Sequence, residues 1–244
     1  MSGMDPVVTL HVWRMPRRAL PEVLVRMATD RARLRRHPGV RFAKLLGTGT
    51  GTGFGPGDVD PTRWAALLVH DPTPTEPRAK EPRATEPKVI TAWTRRSEAH
   101  ARIDLTPLTS RGTWSGHQPF EPSDTRTNGM VLALTRARLK PTRAATFWRA
   151  IPPVAATLTD APGLLARFGV GEAPIGWQGT VTVWRSTADL VAFAYRQPEH
   201  RAAIVRTEQV GWYAEELFAR FAVSGIMGDR GVLGWAQTTR SDPA

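Results

Sequence analysis

The sequence predicts an α+β protein made of two ferredoxin-like repeats within one chain. Three observations carry this expectation. Segments with strand alternation and segments with helical spacing follow one another as strand, helix, strand, strand. That order then recurs in the second half. Finally, Gly163-Leu-Leu-Ala-Arg-Phe-Gly-Val-Gly171 parallels Gly39-Val-Arg-Phe-Ala-Lys-Leu-Leu-Gly47, each run directly behind a proline.

Residues 7–14 are rich in β-branched side chains and read as a strand. Residues 20–36 read as a helix whose apolar Leu20, Leu24, Met27, Ala28 and Leu34 would form its core stripe. His37-Pro38-Gly39 ends it, because proline removes a donor and glycine frees the turn. Strands follow at 40–46 and 64–70. The second half has a strand at 130–139, a helix from about Thr142 that Pro152-Pro153 interrupts, the run 163–171, a strand at 179–185 and a helix near Thr187. Tyr213, Leu217 and Phe221 stand at i, i+4 spacing and read as a helix packed on a sheet. The expected halves are residues 1–120 and 121–244, whose sheets can stack or close into a barrel around an apolar interior.

Two stretches fall outside this scheme. Within residues 72–88, Glu76-Pro-Arg-Ala-Lys80, Glu81-Pro-Arg-Ala-Thr85 and Glu86-Pro-Lys88 form a short repeat whose prolines forbid a helix or a central strand. It reads as an exposed loop in the place of the first half's second helix, leaving residues 89–99 as a short helical remnant. Gly47, Gly49, Gly51, Gly53 and Gly55 resemble a phosphate loop only superficially, since a strand follows instead of a helix N-terminus.

The chain has 244 residues, 41% of them hydrophobic, which is enough for a substantial core. It contains no cysteine, which excludes disulfides, zinc thiolates, iron–sulfur clusters and thiolate-ligated heme. Histidine is therefore the first candidate for metal chemistry. The net charge of +11 comes from basic residues dispersed along the chain, without the clustering with aromatics that marks nucleic-acid binding. Arg or Pro interrupts every apolar segment, so no membrane span is expected. The first residues lack a secretory pattern, and a cytoplasmic protein is the expectation.

Residues 184–203 are the most informative. Ser186 can cap a helix with Asp189 three residues on, and Leu190, Phe193, Gln197, His200 and Ile204 then share a stripe, turning His200 inward. Pro198 suits the start of a new helical turn and places His200 near its N-terminus, where the dipole keeps imidazole neutral. A neutral, inward imidazole is either a metal ligand or a core histidine bonded to a carbonyl. His117 lies in a loop and is a candidate distal group or a solvated side chain. His11 shares a strand face with Trp13, and alternation leaves open whether that face lines the interior. Trp212 is a candidate to flank a pocket.

The series Trp184-Arg-Ser, Phe193-Ala-Tyr, His200 and Gly211-Trp-Tyr-Ala-Glu-Glu-Leu-Phe-Ala-Arg-Phe221, with Pro107-Leu-Thr-Ser-Arg-Gly-Thr-Trp-Ser-Gly116 and Pro119-Phe120, resembles the spheroidene monooxygenase family. The resemblance spans most of the chain and leaves out chiefly the Glu-Pro-Arg loop. The shorter pattern also resembles the antibiotic-biosynthesis and heme-degrading monooxygenases of the dimeric α+β barrel superfamily. It implies that barrel architecture and a heme-dependent carotenoid oxygenase, with His200 as iron ligand and Trp184, Phe193 and Trp212 around heme b. Dioxygen or peroxide would be the oxidant and an apolar metabolite the substrate. No GxGxxG joins a strand to a helix, so electrons would come from an external donor such as a ferredoxin. Rival expectations are a heme lyase, isomerase or heme-degrading enzyme, and a heme-free binding module. Membrane-surface association and a homodimer stay open.

Overall fold

The computed structural model describes residues 8–50, 56–71, 86–147, 149, 158, 161–172, 177–196 and 210–235. The first repeat runs β1 (Val8–Arg14), α1 (Leu20–Arg35), β2 (Val40–Gly49), β3 (Val59–His70), α2 (Lys88–Arg96) and β4 (Ala99–Gly112). The second runs β5 (Val131–Leu139), β6 (Leu164–Gly171), β7 (Trp177–Trp184), α3 (Thr187–Arg196) and β8 (Tyr213–Gly228), with residues 144–147 helical behind β5.

The strands close into one barrel in the order β1-β3-β2-β6-β7-β5-β8-β4, every neighbouring pair antiparallel. Within each repeat the order is that of a ferredoxin-like sheet: β4-β1-β3-β2 and β8-β5-β7-β6. The sheets join through β2 with β6 and β4 with β8, which removes every open edge.

Alternation decides which side chains enter. Val8, Leu10 and Val12 of β1 point inward with Leu67, Ile103, Leu134, Phe168, Val183 and Phe221, forming a core shared by both repeats. Both ends are stoppered. Trp114 and Phe120, from the connection after β4, enter that core, with Phe120 edge-on to Phe221 at 4.8 Å. Val232 and Leu233, from the 3-10 turn after β8, also join it. The interior is therefore packed, and His11 and Trp13 point the other way, toward the helices.

On the first repeat's outer face, Val23, Met27 and Leu34 of α1 and Ile90 and Trp93 of α2 cover Trp13, Trp64, Ala66 and Leu68. Asp30 of α1, itself buried, accepts from the Trp93 indole at 3.0 Å and thus ties the helices together.

Several expectations change. The remnant expected at 89–99 is a formed helix, α2, with Ile90 and Trp93 fully buried. Residues 99–112 are a strand, which Pro107 disguised by sitting at a register shift. Tyr213, Leu217 and Phe221 lie on strand β8 and not on a helix; four residues apart is also one face of a strand, so this spacing fits both periods. The core stripe of α1 is Val23, Met27, Asp30 and Leu34, and Leu24 faces outward.

Candidate functional site

The register makes the two repeats comparable position by position. A row across the first sheet runs Gly47, Trp64, Trp13, His100; the matching row of the second runs Gly171, Gln178, Ala137, Glu216. Two residues along, Ala66, His11 and Arg102 match Thr180, Thr135 and Phe218. Two further, Leu68, Thr9 and Asp104 match Thr182, Ala133 and Arg220.

The contents differ. In the first repeat Thr9, His11, Trp13, Ala66 and Leu68 are all buried beneath α1 and α2. In the second, Ala133, Thr135 and Thr180 are only partly buried, and Ala137 replaces the Trp13 indole. The second sheet thus presents a floor of small and hydroxyl side chains where the first is filled by aromatic rings.

Aromatic clusters stand at both ends of that floor. At the β5 start, opposite Val131, Trp184 donates its indole N–H to Thr182 Oγ1 at 2.9 Å and packs 5.1 Å from the Phe193 ring, with Leu190 and Leu158 beside it. At the β5 end, Trp212 packs edge-on to Phe147 at 5.5 Å, against Leu139, and donates to Thr146 Oγ1 at 3.1 Å. The two clusters are about 26 Å apart along the strand, at roughly 3.3 Å per residue. Trp184 and Phe193 are therefore brought together, and Trp212 faces them from the far end.

The local sequence explains how α3 is placed. The Asp189 N–H donates to Ser186 Oγ at 3.1 Å, the cap expected from sequence, and Arg185 donates to the Asp189 side-chain carboxylate at 2.9 Å. Leu190 and Phe193 then face the sheet. His200 lies outside the described residues. Residues the sequence reading missed are Thr135, Thr180 and Ala133 on the floor, and Arg167 and Arg220, which flank the Thr182–Ala133 row. Their signal was a comparison between repeats, legible only once the register is known.

His117 is exposed on the connection after β4, with Nδ1 2.7 Å from the Ser115 carbonyl oxygen. It sits beside a buried charge network at the barrel mouth, apart from Trp184 and Phe193. There Glu172 accepts from Lys44 at 2.7 Å, Arg136 at 3.0 Å and the Trp114 indole at 2.6 Å. Burial pushes the Glu172 carboxyl up, but Lys44, Trp114 and Arg136 outweigh it and hold it below the usual range. Glu215 follows the same pattern: burial raises it, and the Gly116 N–H with Arg136 brings it down to about 2.

A second polar cluster underlies the first repeat. His11 Nδ1 is 3.2 Å from His100 Nε2, the rings stack with Trp13, and Glu86 lies 3.8 Å from His11 Nε2. Burial foremost, then His100, Arg102 and His70, push the His11 imidazole well below its ordinary value, so it is neutral at pH 7. Among the described residues no group of three or more His, Asp or Glu side chains is arranged to hold a metal ion.

Compared with known proteins, the chain is 34% identical over 231 residues to the spheroidene monooxygenase of Rhodobacter capsulatus, spanning 91% of this chain and 92% of that one. It is 32% identical over 191 residues to the spheroidene monooxygenase of Rubrivivax gelatinosus, spanning 78% and 72%. A solved aldoxime dehydratase in complex with butyraldoxime shares the fold, with a TM-score of 0.54 at 11% identity over 91% of this chain and 81% of that one. No family model matches.

Proposed function

The chain belongs to the spheroidene monooxygenase family, and from that premise we propose a heme-dependent monooxygenase that oxidises a carotenoid or another apolar natural-product intermediate. The observation that carries this reading is the contrast between the repeats. Positions fully buried in the first, His11, Thr9 and Ala66, are small and partly exposed in the second, at Thr135, Ala133 and Thr180. A floor of that kind, bounded by aromatic rings, fits a flat, largely apolar group.

In this reading His200 would hold the iron of heme b, as the motif resemblance implies. Trp184 and Phe193 would pack against the group, and Trp212, about 26 Å along the strand and beyond the reach of the same macrocycle, would close the far end of the pocket. Arg167 and Arg220, flanking one row of the floor, would meet its carboxylates. Bound there, heme supplies the redox chemistry that activates dioxygen or peroxide.

The remaining work falls to the chain's own residues. The aromatic ends and the small side chains between them give a polyene apolar surface to lie on. The Thr135 and Thr180 hydroxyls are the polar atoms available to orient an oxygen-bearing end of a substrate. The distal role of His117 is the assignment its placement supports least, because it is exposed at the barrel mouth. With no dinucleotide fingerprint in the sequence, electrons come from a separate donor such as a ferredoxin.

Heme titration of wild type beside His200→Ala tests this. The expected result is a Soret band in the wild type that is altered or lost in the variant. A wild type that develops no Soret band overturns the heme reading, and a variant with the native spectrum overturns the ligand assignment. Product analysis under labelled dioxygen then separates an oxygenase, which incorporates label, from a lyase, which does not.

A further inference from the structure

Helix α1 carries two apolar stripes, and the fold uses one. Val23, Met27 and Leu34, with Asp30, face the sheet and are buried. On the other side Pro21, Leu24, Val25 and Ala28 recur at i, i+3, i+4 and i+7, and all four are exposed, Leu24 at 61% and Val25 at 64%. A single exposed leucine needs no explanation. A contiguous outward stripe that the sequence pattern would assign to the core does.

Arginine dominates the charges around it. Arg17 and Arg18 precede the helix, Arg35 and Arg36 close it, and Arg95 and Arg96 end the adjacent α2; all are exposed. Of the two carboxylates on α1, Asp30 is buried and Glu22 is bridged by Arg26 at 2.7 Å and Arg96 at 2.8 Å. Arginines at both ends of an apolar crest are the layout of a helix that lies in a lipid interface, with aliphatic side chains below the headgroups and guanidinium groups on phosphates.

We propose that this face of α1 docks the protein on a bilayer surface containing anionic lipid, with Leu24 and Val25 at the boundary between headgroups and acyl chains. A second copy of the chain fits less well. A two-fold contact through this face would bring the arginines of the two copies together, with Glu22 as the one exposed carboxylate of each α1 and already bridged by Arg26 and Arg96. A nucleic acid would meet the arginines but leave the Leu24–Val25 crest unused, and among the described residues the face presents no aromatic side chain for stacking. The proposal rests on the oxygenase reading only for its purpose, since an apolar substrate partitions into lipid. Its basis is the surface itself.

The test is flotation of the full chain, without heme or substrate, on vesicles of phosphatidylcholine alone and of phosphatidylcholine with phosphatidylglycerol. Wild type is expected to float with the anionic vesicles and to be released by added salt. L24Q/V25Q and R35Q/R36Q are each expected to weaken partitioning by about tenfold or more, while M227Q, an exposed methionine on β8, floats as wild type. Circular dichroism confirms that the variants fold. Wild type that ignores anionic vesicles overturns the proposal, as does L24Q/V25Q that floats unchanged. A dimer that L24Q/V25Q converts to monomer, with no vesicle binding in the wild type, assigns the face to a second copy instead. Because lipid binding is read without cofactor, a failed heme titration leaves this result standing, and the reverse also holds.

Discussion

Gly47 lies directly opposite Gly171 across the seam between β2 and β6, and Gly171 is its own counterpart in the second repeat. The approximate two-fold axis of the barrel therefore passes between them. At the other seam it passes Thr106 and Ala222, because Gly112 opposite Leu217 is matched by Gly228 opposite Ala101. The repeats thus exchange equivalent contacts, as two identical subunits would, within one covalent chain.

The glycines at that second seam are fixed by backbone geometry. Gly112 has φ of 89° and Gly228 of 86°, and a Cβ would strike the Glu216 carbonyl at the first and the His100 carbonyl at the second. G112A and G228A are each expected to cost about 2 kcal/mol or more. Gly116, with φ of 75° and open space around it, is expected to lose only the left-handed penalty of about 1 kcal/mol on substitution by alanine. Urea unfolding of the three variants checks this; equal losses would refute the seam argument.

Glu172 is the carboxylate that both Lys44 and Arg136 meet in the barrel mouth. E172A leaves Lys44 without its carboxylate and Arg136, only 3% exposed, with Glu215 alone, and is expected to cost about 2–3 kcal/mol. E172Q keeps an acceptor for the Trp114 indole and should lose less. The midpoint shift in denaturant measures both.

Acid should destabilise the protein in two stages. Burial foremost lowers His11, His70 and His100 below 6.5, so the folded protein keeps these rings neutral where the unfolded chain would take up protons. Their contribution is complete above pH 6.5 and is lost as pH falls below it. His11→Gln should flatten this limb by up to about 1.4 kcal/mol per pH unit. Glu215, lowered from 4.5 to about 2, adds a separate loss below pH 4.5 that E215Q removes. Stability curves from pH 8 to 3, in roughly unit steps, read both limbs.

Filling the floor of the second repeat tests whether it is a site. Thr135 occupies the place of His11 and is partly exposed, so Thr135→Trp can be accommodated in the absence of a ligand. The expectation is cooperative unfolding near the wild-type midpoint together with loss of heme uptake. A variant that binds heme as the wild type does would move the site elsewhere.

The sequence by itself determined the repeat order, the Pro-Gly turns before β2 and β6, the cap of α3 by Ser186 and Asp189, and the absence of thiolate chemistry. These are local properties, set by residue spacing and backbone chemistry within a few positions. Only the tertiary structure decided that β4 and β8 are strands, because Pro107 and the Leu217–Phe221 spacing are ambiguous until a neighbouring strand supplies hydrogen bonds. It also decided that Leu24 faces solvent and His11 the helix layer, since an apolar residue at helical or strand spacing has two faces to choose from. What makes the second sheet a candidate site is a difference between Trp13 and Ala137, or His11 and Thr135, residues more than a hundred positions apart. Barrel closure gives them equivalent places, and a linear pattern has no register by which to compare them.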